Sequence, residues 1–188
     1  MPLSPDDKKN LVRLARKSIS LYFKNQETEK PHFIERFGVF VNIEKNNKLR
    51  GSIGFPDPIM SLAQAVSDSA RCAAFLDPKF PPLKEEELNE VTFQVSFLSK
   101  PRPIKDLKEI NVKQHGIVIE YMGYKGMMLP HEFPENVSLE NALSSVCERA
   151  GLPLDFWKEP CCKISIFESE RYKEVAPNAD VIEIKNSN

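Results

Sequence analysis

One stretch, Leu49–Phe55, combines a permanent cation, a hydroxyl and two glycines within what reads as a single β-strand. Because side chains alternate between the two faces of a strand, Arg50 and Ser52 are expected to share one face. Leu49 and Ile53 are then predicted to be buried on the opposite face. The pattern indicates a strand with one face in a core and one face able to contact a ligand.

The two glycines of this strand, Gly51 and Gly54, strengthen that interpretation. A glycine inside a strand usually marks a bulge, or the close approach of a ligand or another backbone. The sequence therefore predicts a site for a small anionic or polar group, formed by Arg50, Gly51, Ser52 and Gly54. The alternative is an ordinary solvated or ion-paired arginine, with glycines that relieve crowding against the next element.

The composition is that of a globular protein with one sizeable domain or two small lobes. The chain has 188 residues, 41% of them hydrophobic, and a formal net charge of -1. Positive and negative charges nearly cancel, so non-specific binding to duplex nucleic acid is not predicted, and nucleic acid could serve only as a locally read substrate. Without an apolar leader or a run of about 20 apolar residues, the sequence predicts a cytoplasmic protein with no membrane contact.

The four cysteines form no C-x-x-C pair. Cys72 and Cys147 fall within helical apolar patterns and are expected to be buried free thiols. Cys161 and Cys162 are adjacent, and neighbours on a strand face opposite ways, so they cannot easily bind one metal ion. The sequence predicts no metal site and leaves the role of this pair open. The histidines that could add ligands are His32, His115 and His131.

Apolar periodicity and turn residues predict the order helix, hairpin, helix, strand, hairpin, helix, strand. This order favours an α+β fold with a mainly antiparallel sheet flanked by helices. We expect one domain, residues 1–188, with two lobes and a change of lobe near 101–112. The predicted elements are a helix capped by Ser4 and ending near 24, a polar loop 25–32, strands 37–44 and 48–55, a helix capped by Asp57-Pro58 with apolar positions from Ile59, strands 91–97, 115–122 and 125–129, a helix capped by Ser138, and a strand 163–168.

A proline-rich connector, Leu76–Leu83, follows the second predicted helix. Its prolines remove backbone donors and restrict φ, which excludes helix or central strand. The helix before it is expected to pack behind the Arg50 strand and to bring Asp77 to the same site. Asp77 and His115 are the candidates for proton transfer if they converge with Arg50 and Ser52 in one cleft. The chain lacks the common motifs of nucleotide hydrolysis, hydride transfer and zinc proteolysis.

Several segments, taken in order, resemble the motifs of the AMMECR domain family, which is named for a candidate gene in the Alport syndrome, midface hypoplasia, intellectual disability and elliptocytosis region. The resemblance runs from about residue 8 to residue 175. It implies a two-lobed α+β fold, with the Arg50 strand near a cleft. The matching motifs are Leu49–Gly54, Asp77–Pro82, His115-Gly116, Gly126 with Leu129-Pro130, and Cys147 with Ala150–Pro153.

The resemblance also implies partners, because prokaryotic members of the family are associated with radical-SAM enzymes and Memo-type proteins in a shared modification pathway. One hypothesis is an enzyme or enzyme subunit that binds a small or nucleotide-like substrate in a cleft. The other is a non-catalytic module that binds a ligand or a partner protein. No cofactor is assigned by the sequence.

Two positions depart from the family pattern. Ser52 stands where the family usually has cysteine, and His131 stands where it usually has glutamine. A hydroxyl without an adjacent base is a much weaker nucleophile than a thiolate, so thiol chemistry is not carried over to this chain. Ser52 is instead expected to keep the size and hydrogen-bonding role of a ligand-facing residue.

Overall fold

A computed structural model of the chain describes residues 3–27 and 36–185. The chain forms two compact units. The first comprises Met1–Leu98 and Glu170–Ile184, and the second comprises Ser99–Ser169 and Lys185–Asn188. The predicted loop 25–32 from residue 28 onward, together with His32, lies outside the described residues.

The first unit packs helices on one face of an antiparallel sheet. Its sheet order is β2-β1-β3-β7, with β8 paired to β7. Strand β7 begins in the second unit and ends in the first. The elements are α1 (Pro5–Phe23), β1 (Gly38–Lys45), β2 (Lys48–Phe55), α2 (Leu62–Phe75), a short 3-10 helix (Glu85–Asn89), β3 (Val91–Leu98), β7 (Lys163–Glu174) and β8 (Val181–Ile184).

The second unit has its own antiparallel strands and its own core. Strand β5 pairs with β6 and β7, and β4 pairs with β7. Helix α3 packs on this sheet through buried residues such as Leu143 and Val146, against Ile117 and Ile119 of β5. The predicted α+β class with a mainly antiparallel sheet is confirmed. The elements are β4 (Arg102–Pro103), β5 (His115–Tyr121), β6 (Tyr124–Met128) and α3 (Leu139–Arg149).

Two of the three predicted helix starts are confirmed. The Ser4 hydroxyl accepts a hydrogen bond from the Asp7 N–H at the start of α1, and Ser138 caps α3 in the same way. The start predicted at Asp57-Pro58 is wrong. Residues 57–59 form a tight turn instead, and Ser61 accepts the Gln64 N–H, so α2 begins at Leu62.

Both predicted hairpins are present. Asn46 and Asn47 take left-handed φ values of 52° and 58°, which suit a two-residue turn between β1 and β2. The second turn lies at Met122-Gly123, one residue earlier than predicted, because Tyr121 pairs directly with Tyr124. Among the described residues, no helix combines the length and apolar content that crossing a membrane requires.

A buried ion pair joins the helical layer of the first unit to its sheet. Arg16 of α1 donates from Nε and Nη2 to the two carboxylate oxygens of Glu174, at 2.6 Å each. Arg16 Nη2 also reaches the Val91 carbonyl at 2.6 Å, and the Phe93 N–H donates to Glu174 at 3.0 Å. The two charges are therefore bonded to each other and to the backbone of β3.

Candidate functional site

The strand predicted to carry the site contains a β-bulge at Arg50. Ile43 pairs with Gly51 and Glu44 pairs with Leu49, so Arg50 is the extra residue on β2. The bulge breaks the alternation on which the sequence prediction relied. Leu49 is 47% exposed, and its predicted burial is wrong.

The Arg50 guanidinium is bonded within the first unit. It donates to Glu87 at 3.2 Å from Nε and 2.9 Å from Nη2, and to the carbonyl of Pro81 at 2.8 Å. A longer contact of 3.4 Å reaches the Pro82 carbonyl. Arg50 thus links β2 to the proline-rich connector and to the 3-10 helix that follows it. An anionic ligand could bind this guanidinium only by displacing Glu87.

This pairing changes the ionisation of Glu87. The hydrogen bonds from Arg50 are the main cause that lowers the pKa of Glu87 from 4.5 to about 2, and the Lys84 N–H and Lys45 act in the same direction. Burial opposes the shift, since the side chain is only 16% exposed. Glu87 therefore stays charged wherever the protein is folded at ordinary pH.

The depressed pKa of Glu87 predicts a pH-dependent contribution to stability. A carboxyl with a lower pKa in the folded state stabilises that state above its unfolded pKa, and the contribution is lost as the pH falls through the folded pKa. We expect Glu87→Gln to flatten the fall in unfolding free energy between pH 4.5 and about 2. Urea denaturation at a series of pH values measures this slope, and an unchanged slope would contradict the assignment.

Asp77, near the start of the proline-rich connector, is hydrogen-bonded to the backbone of the same strand, β2. Its carboxylate accepts the Ser52 N–H at 2.8 Å and the Lys79 N–H at 2.9 Å, and the residue is 7% exposed. The predicted approach of Asp77 to the Arg50 strand is therefore present. Because β2 is an edge strand, Asp77 also satisfies a backbone donor that would otherwise remain open at the edge.

The two glycines of β2 permit close packing within the unit. A Cβ on Gly51 would lie 2.1 Å from the Ala73 carbonyl oxygen, so Gly51 faces α2. A Cβ on Gly54 would lie 2.4 Å from the ring of Phe40 on the neighbouring strand. Both glycines are explained by contacts with protein groups, as the alternative interpretation of the sequence anticipated.

Ser52 lies on the sheet face opposite the helices, which we call the outer face of the first unit. Ser52 pairs with Asn42, and Asn42 pairs with Gln94, so the three polar side chains form a row across β2, β1 and β3. The Ser52 hydroxyl donates to the Asn42 side-chain oxygen at 2.7 Å. The flanking residues Val41 and Phe93 are buried in the core on the helix side.

The outer face also carries charged groups from β7. Tyr172 is in the core of the first unit, so alternation places Arg171 and Lys173 on the outer face. Lys173 forms an ion pair with Glu44 at 2.5 Å. Arg171, by contrast, makes no hydrogen bond or ion pair with another described residue, and its Nε is buried.

The environment of Arg171 is unusual for a cation. Burial lowers the pKa of Arg171, and the charge of Glu44 only partly opposes that shift. On the neighbouring strand β3, the hydroxyl of Ser96 is a second buried group without a hydrogen-bond partner among the described residues. Ser96 is 1% exposed. Buried polar groups are normally paired, so this part of the outer face has hydrogen-bonding capacity that the described chain does not use.

His115 lies in the second unit, whereas the other predicted site residues lie in the first. It begins β5, and its Nδ1 accepts the Asn111 N–H at 3.1 Å. The other motif residues of this unit have packing roles: the Phe167 ring covers Gly116, and a Cβ on Gly126 would lie 2.3 Å from the Val146 carbonyl oxygen. The roles proposed for Asp77 and His115 in proton transfer stay predictions.

The cysteines are free thiols. Cys147 is buried, as predicted, whereas Cys72 is only half-buried. Burial raises the pKa of both thiols, and it raises that of Cys162 to about 11. Protonated thiols are poor nucleophiles and poor metal ligands. Within residues 3–27 and 36–185, no group of three or more His, Cys, Asp or Glu side chains is placed to hold a metal ion.

Arg171 and Gln94 are residues of this candidate site that the sequence does not predict. The sequence places Gln94 on a half-buried strand without a role and ends the last strand at residue 168, whereas β7 continues to Glu174. A signal was present, since Arg171 and Lys173 alternate with Tyr172 and Glu174. This alternation is typical of a strand that continues to residue 174, but it is recognised only if Glu174, a charged residue, is taken to point into the core.

Comparison with known proteins supports the motif resemblance. Residues 12–172 match the AMMECR1 family. The chain is 39% identical to a protein of Thermococcus gammatolerans, covering 91% of this chain and 92% of that one. It is 37% identical to Protein MJ0810 of Methanocaldococcus jannaschii, with 93% of each chain covered.

A solved structure is also similar. The crystal structure of protein PH0010 from Pyrococcus horikoshii has a TM-score of 0.89 and 33% identity, over 98% of this chain and 99% of that chain. Family match, sequence identity and fold agree over nearly the whole length. The chain belongs to the AMMECR1 family.

Proposed function

We propose that this chain is the ligand-binding subunit of an enzyme system, and that the outer face of its first unit binds a small, anionic, nucleotide-like substrate. The observation that carries the proposal is the half-buried guanidinium of Arg171, which has no hydrogen-bond or ion-pair partner among the described residues. A half-buried arginine that is not hydrogen-bonded to a carboxylate is suited to a charge-assisted, bidentate contact with a phosphate or carboxylate.

The width of the outer face fits such a substrate. Neighbouring strands are about 4.8 Å apart, so the three strand spacings from β2 to β7 span about 14 Å. Within that width, Arg171 would hold the anionic group, and Gln94, Asn42 and Ser52 would hydrogen-bond the rest of the molecule. Lys173 and Glu44 form an ion pair, so the positive charge of Arg171 remains available for an anionic group.

The proposal assigns different roles to the residues first predicted from the sequence. Ser52 remains a ligand-binding residue, whereas Arg50, Gly51 and Asp77 support the strand that presents it. Partners follow from the family resemblance: we propose that a radical-SAM enzyme and a Memo-type protein perform the chemistry on the substrate that this subunit binds. The alternative is a module that binds only a partner protein.

Mass spectrometry of natively purified protein tests the proposal. We expect denaturation of the wild type to release a small anionic molecule that is absent from Arg171→Met prepared in the same way. Conversion of that molecule by the chain alone would identify a complete enzyme rather than a subunit. If no small molecule is released while a partner protein co-purifies with both forms, the partner-binding alternative is correct and the proposal is wrong.

Ser52 gives a second test of the same face. Ser52→Ala should weaken binding of the recovered molecule by about 0.5–1.5 kcal/mol, the net value of one hydrogen bond. Ser52→Cys should leave the affinity nearly unchanged, because the thiol keeps the size of the side chain. Isothermal titration calorimetry measures both variants. Covalent labelling or turnover gained by Ser52→Cys would show that this position holds a nucleophile and that the passive role is wrong.

A further inference from the structure

A second candidate site lies between α1 and α2, away from the outer face of the sheet. It is a pocket of about 540 Å³, with a lining that is mostly polar. Its volume falls in the range of small-molecule sites. The lining residues used below are Ser18, Tyr22, Glu27, Ser67, Asp68 and Arg71.

Two opposite charges lie three residues apart on α2 without pairing. Arg71 lies over the ring of Tyr22, with 5.2 Å from the guanidinium carbon to the ring centroid. Asp68 accepts a hydrogen bond from Gln64. No ion pair joins Asp68 to Arg71, although residues at this spacing are neighbours on a helix. Each charge is held by a different contact and keeps hydrogen-bonding capacity for another molecule.

The exposed side chain of Arg71 lies against an aromatic cluster. Phe75 packs against Tyr22 with a centroid distance of 4.4 Å, while Arg71 covers the ring from α2. The guanidinium makes no hydrogen bond with another described residue. A planar cation placed on an aromatic ring, with its donors free, is arranged to receive a carboxylate.

Two buried hydroxyls add neutral hydrogen-bonding groups. Ser18 Oγ and Ser67 Oγ are 3.1 Å apart, and the Ser18 hydroxyl also lies 2.8 Å from the Leu14 carbonyl. If the Ser18 hydroxyl donates its proton to the Leu14 carbonyl, the Ser67 hydroxyl can donate to Ser18 Oγ. The Ser67 oxygen can then accept a hydrogen bond from a bound molecule. The pocket therefore offers one cation, Arg71, the carboxylates of Asp68 and Glu27, and a hydroxyl acceptor.

We infer that this pocket binds a small zwitterion of the amino-acid type, with its carboxylate on Arg71 and its ammonium group on Asp68. The two charges of an amino acid need oppositely charged partners a few ångströms apart, and the i, i+3 spacing on α2 supplies such a pair. A purely anionic molecule would be repelled by Asp68, and a purely cationic one by Arg71. The inference does not depend on the function proposed for the outer face.

The test is a screen of the twenty standard L-amino acids, each at 10 mM, by thermal shift. We expect at least one to raise the Tm of the wild type by about 3 °C in a concentration-dependent way. Its methyl ester and its deaminated analogue, which each lack one charge, should have at least a tenfold weaker effect. Calorimetry on Arg71→Met and Asp68→Asn should each show at least a tenfold loss of affinity.

Arg13→Met, on an exposed position of α1, is the matched control and should bind like the wild type. Arg171→Met should also bind normally, which separates this site from the outer face. The inference is overturned if none of the twenty amino acids shifts the Tm of the wild type. It is equally overturned if the Arg71 and Asp68 variants fold and keep full affinity.

Discussion

Replacing Arg16 with methionine is expected to lower the unfolding free energy by about 3–5 kcal/mol, the usual cost of removing one partner from a buried ion pair. Glu174, with a side chain 2% exposed, would keep only the Phe93 N–H as a partner among the described residues. Arg16 also bonds the carbonyls of Leu88 and Val91, which would lose a donor. Urea denaturation of the wild type and the variant measures the difference.

Two controls separate the ion pair from general effects of substitution. Arg13→Met, one turn earlier on α1, removes an exposed arginine and should change stability by less than about 0.5 kcal/mol. The double variant Arg16→Met/Glu174→Leu should recover part of the loss, because no unpaired charge remains in the core. A loss of unfolding free energy below about 1 kcal/mol for Arg16→Met would contradict this expectation. It would show that Glu174 becomes protonated, or is hydrogen-bonded by water, when Arg16 is absent.

Arg171→Met is expected to reduce affinity for the molecule recovered from native protein by about 10- to 150-fold. This is the range for loss of a hydrogen bond to a charged group, about 1.5–3 kcal/mol. The unfolding free energy of the ligand-free protein should not fall, because Arg171 has no partner among the described residues to lose and its charge is disfavoured by burial. Calorimetry and urea denaturation measure the two quantities on protein from which the bound molecule has been removed.

A conservative variant refines that expectation. Arg171→Lys keeps the charge but not the planar fork, so we expect partial loss of affinity if the contact is bidentate. Lys173→Met is the matched control on the same strand, since Lys173 is already paired with Glu44. Equal losses for Arg171→Met and Lys173→Met would mean that the outer face acts through its summed charge, and that Arg171 has no specific contact.

Local signals in the sequence predicted most of the fold. Ser4 and Ser138 marked helix starts because a cap depends on neighbours a few residues away, and Asn46-Asn47 marked a hairpin for the same reason. The predicted start of α2 is wrong because Asp57-Pro58 has the local signature of a helix start, whereas the observed cap is Ser61. No local feature shows that Asp57-Pro58 forms a turn instead.

The site was harder to predict because its geometry depends on distant contacts. The bulge at Arg50 exists in the pairing of β2 with β1, and no feature of β2 alone reveals it. Likewise, the carboxylate that binds Arg50 is 37 residues away, on Glu87. Ser52 was placed on the ligand-facing side, but Arg171 enters that face from a strand 119 residues further along the chain.

The most direct test of the account compares Arg50→Met with Arg171→Met, by measuring the recovered molecule per mole of folded chain together with the unfolding free energy. For Arg50→Met the account predicts a stability loss of about 1.5–3 kcal/mol, from the lost bonds to Glu87, with the molecule still bound. For Arg171→Met it predicts an empty protein with the stability of the ligand-free wild type. Loss of the molecule from a fully stable Arg50→Met, with retention in Arg171→Met, would contradict the account and return Arg50 to the ligand site.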